Sequence, residues 1–316
     1  MDIKERHLSF NKKISNPNRP QADGLPPGAA IYTAFICMLF GGNAVAIKIS
    51  LLGLGIFTTA SLRFALASVT VLFWARFTGK PLALGAGQLV KLIPVAVLFF
   101  FQLTFFYIGQ SKTTASHGTL IINALPFVIM VLAHFFIPGE TITWNKTAGM
   151  LLGFSGVLFL FSDQITMNGD ALQGDLIILM AVLVWGCNAV YTKKIIPDFH
   201  PVQISLYPMM MATPGLFICA LLFDGEMVKF VNTGILTAMF YQTFVTASFG
   251  FVVWNTMIRK YGATVLHSFV FIMPVSGVFF GVLLLKEPIT PNLIISIILV
   301  TTGLIVVNKN GKKTIK

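Results

Sequence analysis

The chain carries the same short motif twice, each time inside a long apolar run. FGGNAV at residues 40–45 returns 145 positions later as WGCNAV at residues 185–190. A lysine follows each copy, Lys48 in the first and Lys193 in the second. Two similar turns, around Glu140 and Glu287, lie near the ends of the copies. Repetition of apolar segments at this spacing predicts a fold made of two related halves.

The composition places the chain in a membrane. Of its 316 residues 56% are hydrophobic and 10% are charged, and the mean hydropathy is +0.83. A soluble globule cannot form, because too few polar side chains exist to cover its surface. The net charge of +11 would suggest a nucleic-acid partner in a soluble protein. Here the basic residues lie in short connections between apolar runs, so no nucleic-acid partner is expected.

The apolar runs predict an all-α integral membrane protein with ten transmembrane helices, since about 20 apolar residues cross a bilayer. Residues 1–27 are expected to form a disordered cytoplasmic tail, and residues 309–316 a short basic cytoplasmic tail. The first repeat, 28–162, and the second, 163–308, each receive five helices. The predicted spans are 28–52, 58–77, 89–109, 114–137, 147–162, 174–193, 202–223, 234–258, 263–285 and 291–307.

The positions of Lys and Arg predict the orientation, because cytoplasmic connections are rich in these residues. With both termini inside, the outer side holds only Lys112, Lys229 and Lys286. An odd number of helices per repeat means that the two copies enter the membrane from opposite faces. The fold is therefore predicted as an inverted repeat, the symmetry on which alternating access depends. The inner side then holds Lys4, Arg6, Lys12, Lys13, Arg19, Arg76, Lys80, Lys91, Lys146, Lys193, Lys194, Arg259, Lys260, Lys309, Lys312, Lys313 and Lys316.

An ordered set of motifs from Gly28 to Asn308 resembles the drug/metabolite transporter superfamily, in its ten-helix branch built from two EamA domains. The set comprises the two aromatic-Gly-x-Asn openings, Arg63-Phe64, Trp254 followed by Gly262-Ala263-Thr264, the mid-span prolines Pro126 and Pro274, and the Glu140 and Glu287 turns. The resemblance implies a central cavity lined by helices one, three, four, six, eight and nine. It also implies export of amino acids and related metabolites, as in bacterial members of the superfamily.

Lys48 and Arg63 are unusual cations, because the loop between them contains no acid and both lie near the side predicted to be outer. One interpretation is an electropositive vestibule or gate that attracts a carboxylate or phosphate, since charge inside a span usually faces a cavity or a partner. The other is snorkelling of both side chains to lipid headgroups. Arg63 has no equivalent in the second half, where alignment of Ser61 with Ser205 places Tyr207 at its position.

Amides and amphipathic aromatics complete the predicted substrate path. Asn43 and Asn188 are equivalent in the repeat, and their amides can line the path or join helices by hydrogen bonds. Large aromatic rings beside amides are typical of small-molecule pockets, although the same rings also serve as interface anchors. The candidate cavity residues are Asn43, Lys48, Arg63, Gln102, Tyr107, Asn123, Trp185, Asn188, Tyr191, Gln242 and Trp254.

Prolines and small residues predict local backbone features. Pro126 and Pro274 each remove a backbone hydrogen bond, so a kink or an unwound turn is expected at equivalent depths of helices four and nine. Gly149 and Gly153 in helix five permit close helix approach. That approach is either a contact inside one chain or the face of a homodimer.

The sequence lacks the residues that several kinds of function require. All eleven acids are predicted to lie in tails, loops or helix ends, which disfavours proton exchange at a buried carboxylate and the binding of lipophilic cations. Cys37, Cys187 and Cys219 lack metal-ligand spacing, and no metal or cofactor is expected. No Walker, HExxH or GxSxG motif is present, so the chain is not expected to be an enzyme.

The sequence therefore predicts a multi-pass protein of the bacterial inner membrane that exports a small metabolite, most plausibly an amino acid or a relative, by alternating access. A sugar-phosphate or nucleotide-sugar exchanger is the alternative within transport, and it needs more cations in the cavity. A membrane enzyme or receptor would require a reactive cluster or an attached soluble domain, neither of which is visible. The expected partners are the lipid bilayer and the small-molecule substrate, with a homodimer left open.

Overall fold

The computed structural model describes residues 26–137, 142–167, 169–261, 266 and 269–308, without the side chains of 161–170, 255, 258 and 259. The helices are α1 Pro27–Gly41, α2 Asn43–Leu51, α3 Ile56–Phe77, α4 Ala86–Lys112, α5 Ala115–Ile122, α6 Leu125–Phe136, α7 Trp144–Met167, α8 Gly169–Ile195, α9 Pro201–Phe223, α10 Thr233–Phe240, α11 Phe251–Tyr261, α12 Ile272–Leu285 and α13 Pro291–Asn308. A 3-10 turn, Ile196–Asp198, follows α8, and a π-helical segment, Tyr241–Gly250, joins α10 to α11.

The regular secondary structure of the described residues is helical, apart from one isolated antiparallel bridge between Leu54 and Val228. Seven helical stretches are long and apolar enough to cross a membrane, and two shorter apolar helices lie at 272–285 and 291–307. The protein is thus an all-helical membrane protein. The ten-span count stays a prediction. The seven stretches are Pro27–Leu51, Ile56–Phe77, Ala86–Lys112, Ala115–Phe136, Ala171–Asp198, Pro201–Phe223 and Thr233–Trp254.

Some sequence predictions fall outside the described residues. These are nearly all of the two terminal tails, the Glu140 turn and the Gly262-Ala263-Thr264 motif. Several of the described helices end close to a Gly or Pro, as α3 does before Gly79 and α9 before Gly225. Gly79, between α3 and α4, has φ +62°, a left-handed conformation that glycine adopts without steric cost.

Three of the long stretches are interrupted near their middle. Gly42 separates α1 from α2, Asn123 and Ala124 separate α5 from α6, and the π-helical segment separates α10 from α11. Gly42 allows a close approach, since a Cβ atom there would lie 2.8 Å from the Tyr241 hydroxyl oxygen. That hydroxyl donates a hydrogen bond of 2.5 Å to the Leu39 carbonyl oxygen beside the interruption.

Helices from the two sequence halves pack mainly against each other. The most extensive contacts join α7 to α13, α4 to α8 and α3 to α9. Further contacts join α1 and α5 to α12, and α6 to α8. A continuous apolar core runs between them, and Tyr107 and Phe127 are among its largest fully buried side chains.

The helix connections meet at two ends of the bundle. At one end, called the Asp224 end, residues 52–55 pair with residues 227–230 through backbone hydrogen bonds, and Asp224 accepts bonds from the first turn of α3. At the other, called the Lys91 end, Lys91 forms an exposed ion pair of 2.5 Å with Asp198. There Gln203 and Tyr207 also donate to the carbonyl oxygens of Ala83 and Leu82.

Candidate functional site

A buried polar cluster lies between the two sequence halves, where α2, α3 and α4 meet the π-helical segment. Its helices are otherwise lined by apolar core residues, so polar side chains at this depth need partners. We call it the Arg63 cluster. Its members are Asn43, Ser50, Arg63, Tyr107, Gln242 and Thr246.

Arg63 is the charged centre of this cluster and is only 7% exposed. Its Nη1 donates to the Tyr107 hydroxyl at 3.3 Å, and its Nη2 donates to Thr246 Oγ1 at 3.4 Å. The guanidinium carbon lies 5.1 Å from the centre of the Phe64 ring. Nε is buried and has no hydrogen-bond partner among the described residues. Snorkelling therefore does not describe this side chain.

Neutral groups continue the network away from Arg63. The Tyr107 hydroxyl donates to Gln242 Oε1 at 3.2 Å, and Gln242 Nε2 donates to Ser50 Oγ at 2.7 Å. The Thr246 hydroxyl lies 3.0 Å from Asn43 Oδ1. Tyr107 and Gln242 are completely buried. Each of these bonds joins residues far apart in sequence, so the cluster depends on the tertiary fold.

The π-helical geometry sets the positions of the second-half residues. Residues 241–250 have a wider turn than an α-helix, and Ser248 Oγ donates to the carbonyl oxygen of Thr243, five residues earlier. Gln242 and Thr246 both point from this segment into the cluster. Short π-helical stretches occur frequently at functional sites.

The electrostatics of the cluster are unbalanced. Among the described residues no carboxylate forms an ion pair or hydrogen bond with Arg63. Its positive charge is stabilised by two hydroxyl groups and one aromatic face, which supply less than a carboxylate would. A buried guanidinium in this setting can bind an anion, and the planar fork of Arg matches a carboxylate.

A second polar contact joins the halves through α4 and α8. Asn188 Nδ2 donates to Gln102 Oε1 at 3.0 Å, and Thr192 Oγ1 donates to Asn188 Oδ1 at 3.3 Å. Both amides are buried. The repeated asparagines thus have similar surroundings, since Asn43 contacts the π-helical segment of the second half and Asn188 contacts α4 of the first.

The other predicted cavity residues lie apart from the Arg63 cluster. Lys48 Nζ donates to the Ser111 carbonyl oxygen at 3.2 Å, and Asn123 Nδ2 donates to the Thr119 carbonyl oxygen of its own helix at 2.7 Å. The remaining three are half-buried: Tyr191 donates to the Lys91 carbonyl oxygen, Trp254 packs edge-on against Phe40, and Trp185 lies on α8.

The two prolines lie at the starts of helices. Pro126 is the second residue of α6, directly after the interruption at 123–124. Pro274 is the third residue of α12, after the turn at 269–271. At these positions the missing proline N–H removes no helical hydrogen bond, since the first turn of a helix lacks partners for its N–H groups.

A broad depression of about 920 Å³ opens at the Asp224 end. Its charged lining is mixed, with the acids Asp224, Glu226 and Glu287 and three lysines. Glu287 also accepts hydrogen bonds from the backbone N–H groups of Ala115 and Ser116, which caps α5. The lysines are Lys48, Lys112 and Lys229.

Asp175 requires a correction to the sequence-based placement of the acids. It lies seven residues inside α8 and is completely buried. The Thr113 hydroxyl donates to its Oδ1 at 2.5 Å, and His117 Nδ1 donates to its Oδ2 at 2.8 Å. The expectation that every acid lies in a tail, a loop or a helix end is wrong here, because α8 begins at Gly169 and not near residue 174.

The small residues of helix five contact the same chain. A Cβ atom on Gly149 would lie 2.7 Å from the Gly303 carbonyl oxygen, and one on Gly153 would lie 2.0 Å from the Phe127 ring. This face of α7 is therefore occupied by α13 and α6. Among the described residues no group of three His, Cys, Asp or Glu side chains could hold a metal ion.

Comparisons with known proteins agree with this architecture. The chain is 28% identical over 285 residues to a "Probable amino-acid metabolite efflux pump" of Escherichia coli (strain K12), covering 87% of this chain and 92% of that protein. It is 24% identical over 278 residues to a protein of the same name from Salmonella typhimurium, and the match covers 85% of this chain and 91% of that protein.

A solved crystal structure shares the fold, with a TM-score of 0.66, 17% sequence identity and coverage of 89% of this chain and 96% of that one. The EamA-like transporter family model matches residues 28–162 and again residues 172–309. Together these matches span nearly all of the described helices. The chain belongs to the EamA-like transporter family, within the drug/metabolite transporter superfamily.

Proposed function

We propose that this transporter exports small metabolites that carry a carboxylate, most plausibly amino acids or related compounds. The observation that carries the proposal is Arg63, a buried cation with no carboxylate partner among the described residues. A buried charge without a partner costs several kcal/mol. A substrate carboxylate in the Arg63 cluster offsets that cost by charge-assisted hydrogen bonds.

The composition of the cluster favours a carboxylate over a phosphate. Arg63 is the sole cation in the Arg63 cluster, and its other members offer neutral hydroxyl and amide groups. One guanidinium balances one carboxylate, whereas a doubly charged phosphate would call for a second cation. Hydroxyl and amide groups can then bind the amino group and other polar parts of the substrate.

Alternating access between two inverted halves is the proposed mechanism. The helix contacts support it. In the repeat, α1 of the first half corresponds to α8 of the second, and α6 corresponds to α12. The α1–α12 contact and the α6–α8 contact are therefore equivalent under exchange of the two halves. The ends support it too, since hydrogen bonds or ion pairs join the two halves at each of them. The Lys91 end is proposed to face the cytoplasm, in keeping with its excess of lysine and arginine.

The test is counterflow in vesicles that contain the purified protein. The panel consists of amino acids, their decarboxylated amines, sugar phosphates and hydrophobic cations, each with and without a pH gradient. Arg63→Gln is compared with Arg76→Gln, which removes an exposed arginine from the far end of the same helix. Both variants are checked for equal amounts of folded protein.

We expect amino acids to move and their amines to move poorly. Arg63→Gln should reduce amino-acid flux by about tenfold to a hundredfold, the range expected for loss of a charge-assisted hydrogen bond. Arg76→Gln should transport like the wild type. Movement of phosphates or hydrophobic cations alone would overturn the substrate assignment, and equal behaviour of the two variants would overturn the role of Arg63.

A further inference from the structure

A second cavity, at the Lys91 end, is separate from the Arg63 cluster. Its volume is about 520 Å³, within the range of small-molecule pockets. It lies between α3, α9 and α11, and we call it the Lys80 pocket. The residues that define its chemistry are Trp74, Lys80, His200, Met209, Phe251 and Lys260.

The charge in the Lys80 pocket has one sign. Lys80 and Lys260 both line it, together with His200, and no Asp or Glu is among its lining residues. Neither ammonium group forms an ion pair with a carboxylate among the described residues. Lys260 Nζ lies 5.0 Å from the centre of the Tyr261 ring. Two lysines that line one cavity repel each other, and an anion between them relieves the repulsion. Lys80 and Lys260, which we call the rim of the pocket, therefore favour an anionic ligand.

Most of the residues that line the pocket are apolar, and Ser205 and Thr256 add two hydroxyl groups. Val71 and Trp74 contribute from α3, Met209 from α9, and Phe251 and Val252 from α11. A small polar anion gains nothing from such a wall, whereas a hydrocarbon chain does, by about 25 cal/mol for each Å² of apolar surface removed from water. The ligand that satisfies both parts of the pocket has an anionic head and an apolar tail.

The surroundings of the pocket are those of a bilayer surface. α3 exposes the rings of Phe73 and Phe77, which are 58% and 84% exposed, and the π-helical segment before α11 exposes Phe249, which is 49% exposed. Trp74 lines the pocket, and tryptophan favours the level of the lipid headgroups. Basic pockets between transmembrane helices on the cytoplasmic side are suited to lipid phosphate groups.

We propose that the Lys80 pocket binds an anionic phospholipid of the leaflet at the Lys91 end, with its phosphate between Lys80 and Lys260 and the start of one acyl chain against Trp74 and Phe251. The lipid would fill the space between α3, α9 and α11. Because α3 carries Arg63 and α11 continues from the π-helical segment, an occupied pocket would stabilise one helix of the Arg63 cluster and the helix that follows another part of it.

The test is native mass spectrometry of the purified full chain, with retained lipid counted after exchange into equimolar phosphatidylglycerol and phosphatidylcholine. Lys80→Gln/Lys260→Gln removes the rim charge. Arg76→Gln/Lys194→Gln removes the same charge from the same end at residues that do not line the pocket. Val252→Trp fills the pocket and leaves every charge in place.

We expect the wild type and the control double variant to retain phosphatidylglycerol in preference to phosphatidylcholine. The rim variant should bind phosphatidylglycerol about thirtyfold more weakly, since each lysine contributes a factor of about five to binding an anionic membrane lipid. Val252→Trp should lose the lipid as well. Equal losses in the two double variants, or no preference for phosphatidylglycerol, would overturn the proposal.

Two further arms separate the sources of the anion. If inorganic phosphate protects the protein against heat as well as phosphatidylglycerol does, the pocket is a free-anion site and the lipid assignment is wrong. If the rim variant retains the lipid but loses amino-acid counterflow, the pocket belongs to the substrate path, which also overturns the assignment. Neither result bears on Arg63, so failure here and failure of the proposed transport are distinguishable.

Discussion

Arg63 and Asp175 are buried side chains of opposite charge that have different kinds of partner. Arg63 contacts the neutral hydroxyl groups of Tyr107 and Thr246, whereas Asp175 contacts the imidazole of His117 and the hydroxyl group of Thr113. A carboxylate held in this way already has its hydrogen bonds satisfied inside the protein. We therefore assign ligand binding to Arg63 and a structural role to Asp175, which ties α8 to α4 and α5.

Replacing Asp175 with leucine should lower the stability of the purified protein by about 3–5 kcal/mol, because the buried partners lose their acceptor. Asp175→Asn should cost less, since its amide can still bond to Thr113 and His117. The control is Asp198→Asn. Because the ion pair between Asp198 and Lys91 is about half exposed, this substitution should lower the stability by less than about 1 kcal/mol. Thermal unfolding in detergent measures all three, and equal melting temperatures for Asp175→Leu and Asp198→Asn would contradict the structural role.

The sequence identified Arg63, Tyr107, Gln242 and Asn43 one at a time, as polar or charged residues in apolar runs. Their meeting in one cluster depends on contacts between α3, α4 and the π-helical segment, which span more than a hundred residues of sequence. Periodicity reports only the face of a single helix, so such long-range pairings were out of reach. Thr246 was missed as well, because threonine is an ordinary residue in a membrane span and its contacts in the cluster are also long-range.

At the scale of the helices, the extent of the apolar runs was predictable and their interruptions were only partly so. The span 28–52 matches α1 and α2, and 202–223 matches α9, within a residue or two. Gly42 and Pro126 mark two interruptions with residues that weaken a helix. The π-helical segment contains no proline, and its one glycine is the last residue, Gly250. The sequence therefore does not predict this segment.

The contact between α7 and α13 depends on the absence of side chains at Gly149 and Gly303. Because a Cβ on Gly149 would lie 2.7 Å from a backbone oxygen, Gly149→Ala must push the helices apart, at a cost of about 1–3 kcal/mol. Gly87→Ala is the control, since a Cβ there meets nothing within 4 Å and alanine favours a helix. Melting temperatures should fall for the first variant and stay level or rise for the second. Equal values would mean that the contact yields without cost.

For the whole molecule, contacts between the two halves join the helix connections at both ends of the bundle, so alternating access requires these contacts to separate at each end in turn. At the Asp224 end, Gly55 N donates to the Met227 carbonyl oxygen at 3.0 Å and Lys229 N donates to the Gly53 carbonyl oxygen at 2.8 Å. Leu54 and Val228 face each other between these two bonds. Their Cα atoms have the separation of a non-hydrogen-bonded antiparallel pair, about 4.5 Å, which a disulfide can span.

A disulfide between Leu54→Cys and Val228→Cys should therefore hold the Asp224 end closed and stop counterflow, and a reducing agent should restore it. The native Cys37, Cys187 and Cys219 are first replaced with alanine, because Cys187 is exposed and would compete for the new thiols. Each single cysteine variant serves as a control and should transport under oxidising conditions. Full transport by the cross-linked protein would show that residues 52–55 and 227–230 stay together during the cycle, and alternating access at this end would have to be abandoned.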